Sequence, residues 1–262
     1  MDGELTGIRY NLEHGRLRAI AISTSSYSTG RSVTWVQGED IMEWERPMRT
    51  AKKTTITIDH VMASAALPLF FPAVRIDGAW YGDGGVRLTA PLSPALHLGA
   101  RRVLAISTRH DRSAHELEQH EIAGYPPPAQ VVGVLLNAIF LDQLDNDVLR
   151  LERLNRLLEL IPEEHRDGLE PVRLLTIRPS RDLGRMASEY ERQLPKGFRF
   201  LTRGLGTRQT RSPDFLSLVL FQPDYLRALM DIGEEDATAR ASEIEEFLSA
   251  EEEPASRKAR PA

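Results

Sequence analysis

The sequence predicts an α/β fold in which helices cover a mainly parallel β-sheet. Residues 102–107 (RVLAIS) form a short apolar run of the kind found in buried strands. They follow a helical segment, residues 91–98, which ends at Gly99, and that helix itself follows a strand-like run and a turn at residues 82–85. This strand, turn, helix, strand order favours parallel strands that are connected by helices.

Two further strands are predicted near the start of the chain. Residues 16–23 (RLRAIAIS) have the apolar character of a buried strand, and residues 32–37 (SVTWVQ) alternate apolar and polar side chains. The intervening residues 24–30 are rich in Ser, Thr and Gly, so they predict a turn.

A short helix and a hairpin come next. Residues 58–66 predict a helix that Thr57 or Asp59 caps, and a nearby proline stops it because proline disfavours helical geometry in the preceding residue. The Asp-Gly pair at residues 77–78 separates two short apolar runs. Such a pair predicts a tight hairpin, which leads the chain to Asp83.

The second half of the sequence is mainly helical. A Pro-Pro-Pro break at residues 126–128 precedes apolar residues at helical spacing, which predict one long helix or two. The pattern returns briefly to a strand before further helices. The predicted elements are a helical region at 131–161, a strand at 172–177, a helix at 182–202 broken at Pro195, and a helical tail at 214–248 interrupted at Pro223.

Composition limits the classes of function. The net charge of −5 gives no excess of basic side chains, so broad nucleic-acid binding is not expected. The absence of cysteine excludes disulfides and cysteine-based metal centres. The first residues lack the apolar core of a secretory signal, and the longest apolar stretches, residues 63–74 and 131–144, are too short to span a membrane. We therefore expect a cytoplasmic protein that at most touches a membrane surface.

Three segments carry the strongest functional signal. They are residues 62–72 (MASAALPLFFP), 82–85 (GDGG) and 90–95 (APLSPA). In this order they resemble the patatin-like phospholipases, in which an A-S-x-A-x-P-x-x-F-P stretch leads through a hairpin to a D-G-[GA] motif and then to a helix. The resemblance is clear over residues 7–108. It implies a three-layer α/β/α patatin-like sheet with a helical C-terminal extension.

The resemblance also implies roles for three residues. In the family, a serine in a G-x-S-x-G elbow attacks an acyl ester, and the aspartate of D-G-[GA] acts as its base without a histidine. Asp83 is therefore the expected catalytic base, and Gly84 and Gly85 are expected to shape its turn.

The residue types agree with these roles. A carboxylate at the end of a strand can approach a hydroxyl, and partial burial raises its pKa toward useful basicity. Two glycines after it allow backbone angles that are closed to other residues and leave space for a substrate. The alternative is that Asp83 only caps or stabilises a turn, as Asp-Gly pairs commonly do.

Half of the expected catalytic machinery is missing from the sequence. It contains no G-x-S-x-G segment and no G-x-G-x-x-G segment, which would supply oxyanion-hole amides. We therefore expect a fragment or truncated form that begins after the catalytic serine, lacks the N-terminal strands, and hydrolyses esters negligibly by itself. The strands that contain Ile20, Ile22, Leu104 and Ile106 would then expose unpaired edges, which favours oligomers.

The resemblance sets the expected division of the chain and its function. The divisions are residues 1–125 as the C-terminal half of the acyl hydrolase domain, 126–205 as a helix-strand-helix part that completes or extends it, 206–250 as a helical tail and 251–262 as a disordered tail. The expected substrate is a lipid or another acyl ester, reached with peripheral membrane contact and without cofactor or metal. The alternative is a non-catalytic interaction protein that binds a partner through its Leu-rich helices.

Other serines fit structural roles better than a nucleophilic one. Ser64 lies in a helix of small residues, where a hydroxyl more often bonds back to the helix backbone. Four hydroxyls in the predicted turn region lack the flanking glycines of an elbow: Ser23, Ser25, Ser26 and Ser28. The set Ser107, His110 and Asp111 falls within five consecutive residues, whereas triads assemble from separate segments.

The sequence offers only weak candidates for metal ligands. His115 and His120 are five residues apart, and this spacing turns the second imidazole away from the helical face of the first. Three acidic residues on the long helix form its solvated side, next to arginines: Asp142, Asp145 and Asp147. No further acidic cluster would complete an oxygen-ligand set.

Overall fold

The computed structural model describes residues 5–39, 41–68, 70–110, 135, 138–140, 142–190 and 214–249. The chain divides into two compact units, Met1–Ala100 and Arg101–Ala262. Several predicted boundaries lie outside the described residues, namely those at 125/126 and 205/206 and the tail 251–262. They remain predictions.

The first unit is built on a six-stranded sheet. Its strand order is β3-β4-β2-β1-β6-β5, and every neighbouring pair is antiparallel except β2 and β4. The strands are β1 (Ala19–Ser26), β2 (Ser32–Gly38), β3 (Glu45–Arg46), β4 (Arg49–Lys53), β5 (Val74–Ile76) and β6 (Ala79–Asp83).

The mixed α/β class is confirmed, but the expectation of a mainly parallel sheet is wrong for this unit. The reason is local, because short connections join β1 to β2 and β5 to β6, and a tight turn can only reverse a strand. The β5–β6 turn is the predicted Asp77-Gly78 hairpin, in which both residues have positive φ values, 47° and 83°. This is the backbone geometry of a type I′ turn.

One face of the sheet holds the apolar core of the first unit. Trp35 is 1% exposed and meets the rings of His60 and Tyr81 edge-on, at centroid distances of 4.8 Å and 5.2 Å. Its ring N–H donates to the hydroxyl of Thr24 at 2.9 Å, so the buried polar atom is satisfied. The core side chains are Val33, Trp35, Ile56, Ala63, Ile76 and Tyr81.

Three helices belong to the first unit. They are α1 (Thr6–Glu13), α2 (Ile58–Ser64) and α3 (Ser93–His97). Helix α2 begins at the predicted cap, where the ring Nδ1 of His60 accepts a hydrogen bond from the backbone N–H of Thr57 at 3.1 Å. Leu5 and Ile8, at the start of α1, pack against the Trp35 core.

Strand β1 extends further than predicted. Ser25 and Ser26 lie within the strand and not in the expected turn, as does Ser23, where the predicted strand ends, whereas Ser28 does lie in the turn. Ser25 and Ser26 are buried between the neighbouring strands β2 and β6. The polar side chains of this segment suggested a loop. It forms a central strand instead, because strands from elsewhere in the chain pair with it on both sides.

The second unit contains a parallel pair of strands and helices. The strands are β7 (Arg102–Ile106) and β8 (Arg173–Ile177), which agree with the predicted strands. The described helices are α4 (Asp142–Glu159), α5 (Leu183–Tyr190), α6 (Asp214–Val219), α7 (Pro223–Ala239) and α8 (Ala241–Ser249). Helix α7 begins at Pro223, where the sequence predicts an interruption of the tail.

The expectation of unpaired strand edges holds for one strand and fails for another. Ile20 and Ile22 lie in β1, which has β2 on one side and β6 on the other, so that strand has no open edge. Within the described residues β7 pairs only with β8, and its Ile106 is 76% exposed. No described helix combines the length and the apolar character that a membrane crossing requires.

Candidate active site

Asp83 is the last residue of strand β6, at the point where the chain leaves the sheet. Its Cα partner across the ladder is Thr24 of the central strand β1. Its backbone N–H donates to the carbonyl of Ala66 at 3.0 Å, in the segment that follows helix α2. The backbone of this aspartate is therefore fixed from two sides by elements that are distant in sequence.

The carboxylate of Asp83 is held by the turn that it begins. Its Oδ1 accepts a hydrogen bond from the backbone N–H of Gly85 at 2.7 Å, and residues Gly84–Val86 form a single 3-10 turn. Among the described residues, no hydrogen bond is formed to Oδ2. One oxygen of the carboxylate thus fixes the turn, and the other can accept a proton from an incoming group.

The surroundings of Asp83 raise the proton affinity of its carboxylate. Burial raises the pKa of this carboxyl above its ordinary value, and the hydrogen bond from Gly85 acts in the opposite direction. A raised pKa makes the carboxylate a stronger base, which is the property that proton abstraction from a hydroxyl requires. The same hydrogen bond also fits a turn-capping role, so geometry alone leaves both roles available to this carboxylate.

Gly84 is required because the backbone of β1 passes directly beside it. A Cβ at position 84 would overlap the carbonyl oxygen of Ser23 and lie 2.7 Å from its carbonyl carbon. Sequence analysis expected unusual backbone angles at Gly84 and Gly85, and that expectation is wrong, since neither has a positive φ. Gly84 instead allows the turn to lie close to strand β1, because it has no side chain.

Gly82 is a site residue that sequence analysis missed. A Cβ at this position would overlap the hydroxyl of Tyr27 and lie 2.7 Å from the ring carbon that carries it. The ring of Tyr27 therefore covers the backbone immediately before Asp83. The G-D-G-G run was the available signal, because glycines on both sides of an aspartate indicate close contact on both sides.

No nearby hydroxyl of β1 is arranged as a nucleophile for Asp83. Ser23 and Ser25 alternate with Thr24 along the strand, so their side chains leave the sheet on the opposite face. The Ser23 hydroxyl lies 3.2 Å from that of Thr34. Thr24 and Ser26 share the face of Asp83, but both are buried. The Thr24 hydroxyl bonds to the carbonyl of Val33 and the ring of Trp35, and the Ser26 hydroxyl accepts a hydrogen bond from the backbone N–H of Thr29 at 3.2 Å.

The remaining catalytic candidates do not assemble either. The Ser64 hydroxyl, in the last turn of α2, forms no hydrogen bond with Asp83. Ser107 accepts a hydrogen bond from the backbone of Arg109 at 3.1 Å, and His110 bonds to the carbonyl of Pro179 at 3.0 Å. The third member of that set and the histidine pair lie outside the described residues: Asp111, His115 and His120.

The acidic residues at the start of helix α4 take part in ion pairs. Arg109 contacts the carboxylates of Asp142 and Asp145, and Arg178 contacts Asp145 at 2.6 Å. Positive partners occupy the oxygens that a cation would need. Within the described part of the chain, no group of three or more His, Asp or Glu side chains is placed to hold a metal ion.

Two comparisons with known proteins bear on this site. A search of curated proteins found no match to the chain. A scan against protein families found one, described as patatin-like phospholipase, over residues 16–96. This range contains β1 to β6, the Asp83 turn and most of helix α3. The match confirms the resemblance that the three motif segments predicted, and residues 16–96 are the segment that matches the patatin-like phospholipase family.

Proposed function

We propose that this chain supplies the catalytic base, Asp83, of a lipid acyl hydrolase that works through a Ser-Asp dyad. The observation that carries the proposal is the state of the Asp83 carboxylate. It is half-buried with a raised pKa, one oxygen is fixed by Gly85, and the other has no partner among the described residues. The family match covers the same segment, and this match is the reason to interpret the carboxylate as the base of an ester hydrolysis.

The proposed chemistry is acyl transfer to a serine. A serine hydroxyl gives its proton to Oδ2 of Asp83 while its oxygen attacks the ester carbonyl carbon, and the alcohol then leaves with a proton from Asp83. An acyl-serine remains. Asp83 next takes a proton from the water that attacks it and gives that proton to the serine oxygen as the carboxylic acid leaves. The partly buried carboxylate suits this task, because it is a stronger base than a solvated one.

In this proposal the serine of the dyad comes from outside the 262 residues. The sequence contains no G-x-S-x-G segment, and the hydroxyls of β1 either face away from Asp83 or are buried in other hydrogen bonds. A carboxylate alone cannot form the acyl-serine intermediate. We therefore propose that a serine-bearing segment joins this one, either upstream on the same polypeptide or on a second polypeptide, at a membrane surface that provides the lipid.

Labelling with a fluorophosphonate, which reacts with activated serines, tests this proposal. The coding DNA upstream of Met1 is read for an in-frame G-x-S-x-G segment, and the longer chain is expressed beside residues 1–262. We expect the longer chain to be labelled and to hydrolyse lipid esters, the shorter chain to do neither, and Asp83→Asn to lower hydrolysis by about 10²- to 10⁴-fold. Asp77→Asn, six residues earlier on an exposed turn, is the matched control.

Two results would overturn the proposal. One is full hydrolysis by a longer chain that carries Asp83→Asn. The other is strong labelling of residues 1–262 alone that Asp83→Asn leaves unchanged, because the reactive serine would then not depend on Asp83.

A non-catalytic interaction protein is the second candidate, and the surface of helix α4 favours it. Leu149 is 62% exposed and Leu157 is 49% exposed on that helix, and Leu160 just beyond it is 80% exposed. Apolar side chains this open are typical of surfaces that a partner covers. An in-frame stop codon directly before Met1, together with a folded chain that no fluorophosphonate labels, would favour this candidate over the hydrolase.

A further inference from the structure

A small basic pocket lies in the first unit, on the sheet face opposite the Trp35 core. Strands β2 and β4 form its floor, and helix α3 forms one wall. It is a small, shallow depression that is open to solvent. The side chains that matter for its chemistry are Ser32, Trp44, Arg46, Arg49, Ser93 and His97.

The two arginines face each other directly across a hairpin. Arg46 ends β3, Arg49 begins β4, and the two residues are Cα partners in the ladder. Only Pro47 and Met48 separate them, as the turn. Like charges at directly opposed positions destabilise an antiparallel pair, so this arrangement costs stability unless an anion lies between the two side chains.

No carboxylate of the described residues neutralises this pair. Glu45 directly precedes Arg46 in β3, but it pairs with Arg31 at 2.7 Å. Glu43 accepts a hydrogen bond from the backbone of Lys53 at 2.9 Å. Neither Arg46 nor Arg49 forms an ion pair within the part of the chain that the structure describes. The local excess of positive charge contrasts with the net charge of −5 for the whole chain.

The rest of the lining adds a flat wall and hydroxyls. The rings of Trp44 and His97 stack at a centroid distance of 4.7 Å, with an angle of 20° between their planes. This contact joins the β3 side of the pocket to helix α3 and fixes its width. Ser32 and Ser93 bring hydroxyl groups to the lining, and hydroxyls donate readily to anionic oxygens.

We propose that this Arg46–Arg49 pocket binds a phosphoryl group. Each guanidinium offers a planar fork of N–H donors that matches two oxygens of a phosphate, and two forks together match its oxygens and its double negative charge. A carboxylate has only two oxygens, which one fork satisfies. The depression is open to solvent, so both guanidinium groups can bind a phosphoryl group at its mouth while the attached atoms remain outside. The ligand is therefore a phosphate ester, either free in solution or the headgroup of a phospholipid.

Binding measurements on the whole chain test the proposal. Inorganic phosphate is titrated by calorimetry, and vesicles of phosphatidylcholine with phosphatidic acid are compared with vesicles in which oleate supplies the same negative charge. We expect phosphate to bind, and vesicles to bind only with phosphatidic acid if the source is a lipid headgroup. Binding to phosphate with no binding to either vesicle identifies a free phosphate ester as the source.

Variants assign the binding to this pocket. Arg46→Ala with Arg49→Ala is expected to weaken phosphate binding at least tenfold, and lysine at both positions is expected to restore part of it, since lysine keeps the charge but loses the fork. The matched control removes two exposed arginines from helix α4, Arg153→Ala with Arg156→Ala, and is expected to bind like the wild type. An equal loss in the control, or no loss in the pocket variant, would overturn the proposal.

The melting temperature gives an independent readout. Arg46→Glu places opposite charges across the hairpin, so we expect it to melt at a higher temperature than the wild type without phosphate and to show no rise with phosphate. The wild type is expected to gain stability with phosphate. A fall in melting temperature for Arg46→Glu would contradict the argument from opposed charges. Asp83→Asn is expected to bind phosphate normally, so this proposal stands or fails separately from the hydrolase proposal.

Discussion

Strand β6 runs between two Asp-Gly pairs that use the same two residue types in different ways. At its start, Asp77 and Gly78 both have positive φ values, and a Cβ on Gly78 would meet nothing within 4 Å. At its end, Asp83 has a φ of −46°, and a Cβ on Gly84 would overlap the carbonyl of Ser23. The first pair reverses the chain, whereas the second places a carboxylate at the end of β6 and a bare backbone directly against β1.

The difference shows that a dipeptide signal has to be interpreted through what surrounds it. The hairpin at Asp77 is local and exposed, and the backbone angles of its own two residues are enough to form it. The turn at Asp83 depends on β1 and on the carbonyl of Ala66. Its aspartate is partly buried, and this burial raises the pKa of the carboxyl. Stability spent on holding a charged group in this way is common at functional sites.

The largest expected difference between the two turns concerns their glycines. Gly84→Ala is expected to lower the free energy of unfolding by about 3 kcal/mol, because the added methyl overlaps backbone atoms of the central strand, which cannot move aside as a side chain could. Urea denaturation of the purified variant measures this. A loss below that of Gly78→Ala would show that the turn and β1 separate easily.

Gly78→Ala provides the lower reference. Its cost is expected to be about 1 kcal/mol, because the added methyl meets no neighbour and only the positive φ of 83° opposes it. The same denaturation experiment measures it. Replacement by Asn, which tolerates this backbone region better than Ala, should restore most of the loss.

The two aspartates are expected to differ in how their replacement by asparagine changes stability. Burial raises the pKa of Asp83 above its ordinary value of 3.8, so its contribution to stability is fully present below that value and is lost as pH rises through the raised pKa. Asp83→Asn keeps the acceptor for Gly85 and removes the buried charge, so it should stabilise the protein at neutral pH and lose this advantage in acid. The gain should be smaller than the cost of Gly78→Ala.

Thermal melts between pH 3 and pH 8 measure this difference, with Asp77→Asn as the exposed counterpart. Asp77→Asn should change stability at pH 8 by no more than about 0.5 kcal/mol. A clear loss of stability for Asp83→Asn at neutral pH would indicate that its carboxylate serves the turn and not a reaction.

The smallest expected effect links Asp77 to the core. Burial lowers the pKa of His60 below 6.5, and the charges of Asp77 and Asp59 partly oppose this. The stability that neutral His60 contributes is therefore present above pH 6.5 and declines as the solution becomes more acidic. Without the Asp77 charge the pKa of His60 falls further, so Asp77→Asn should lose a few tenths of a kcal/mol more than the wild type near pH 5.5.

A double variant isolates this effect. His60→Gln removes the titrating ring, so adding Asp77→Asn to it should leave the slope of stability against pH unchanged between pH 5 and pH 7. A slope that still depends on Asp77 would point to another titrating group.

Much of the first unit could be predicted because its signals are local. The hairpin at residues 77–78, the cap at Thr57 and the strand from Ser32 each depend on a few adjacent residues, and each lies where the sequence predicts it. The position of Asp83 at the end of β6 could be predicted equally well, since the hairpin before it and the G-D-G-G run indicate a strand end. Prediction worked where the determining contacts lay within one turn and the residues there are typical of a turn or a helix cap.

The features that were not predicted depend on non-local contacts, or lie in segments whose residue types are not typical of the element that they form. Strand β4 is rich in Arg and Lys, and the β3–β4 turn contains Pro47 and Met48 without glycine or asparagine, so nothing marked this hairpin. The serines of β1 suggested a loop, because the strands that bury them come from elsewhere in the chain. The steric role of Gly84 needs the backbone of Ser23, which no local pattern reports.

The pairing of β6 with β1 joins segments that β2, β3, β4 and α2 separate in sequence. A hairpin such as that at Asp77 closes in about 1–10 μs, whereas ordering so long an intervening chain costs much more loop-closure entropy. During refolding we expect the Asp83 turn to be among the last parts of its sheet to form, after the hairpin that delivers it. Amide hydrogens report on this turn, because those of Asp83 and Gly85 donate to the carbonyl of Ala66 and to the carboxylate of Asp83. They should exchange with solvent at a rate set by local opening of the turn and of its contact with the segment after α2.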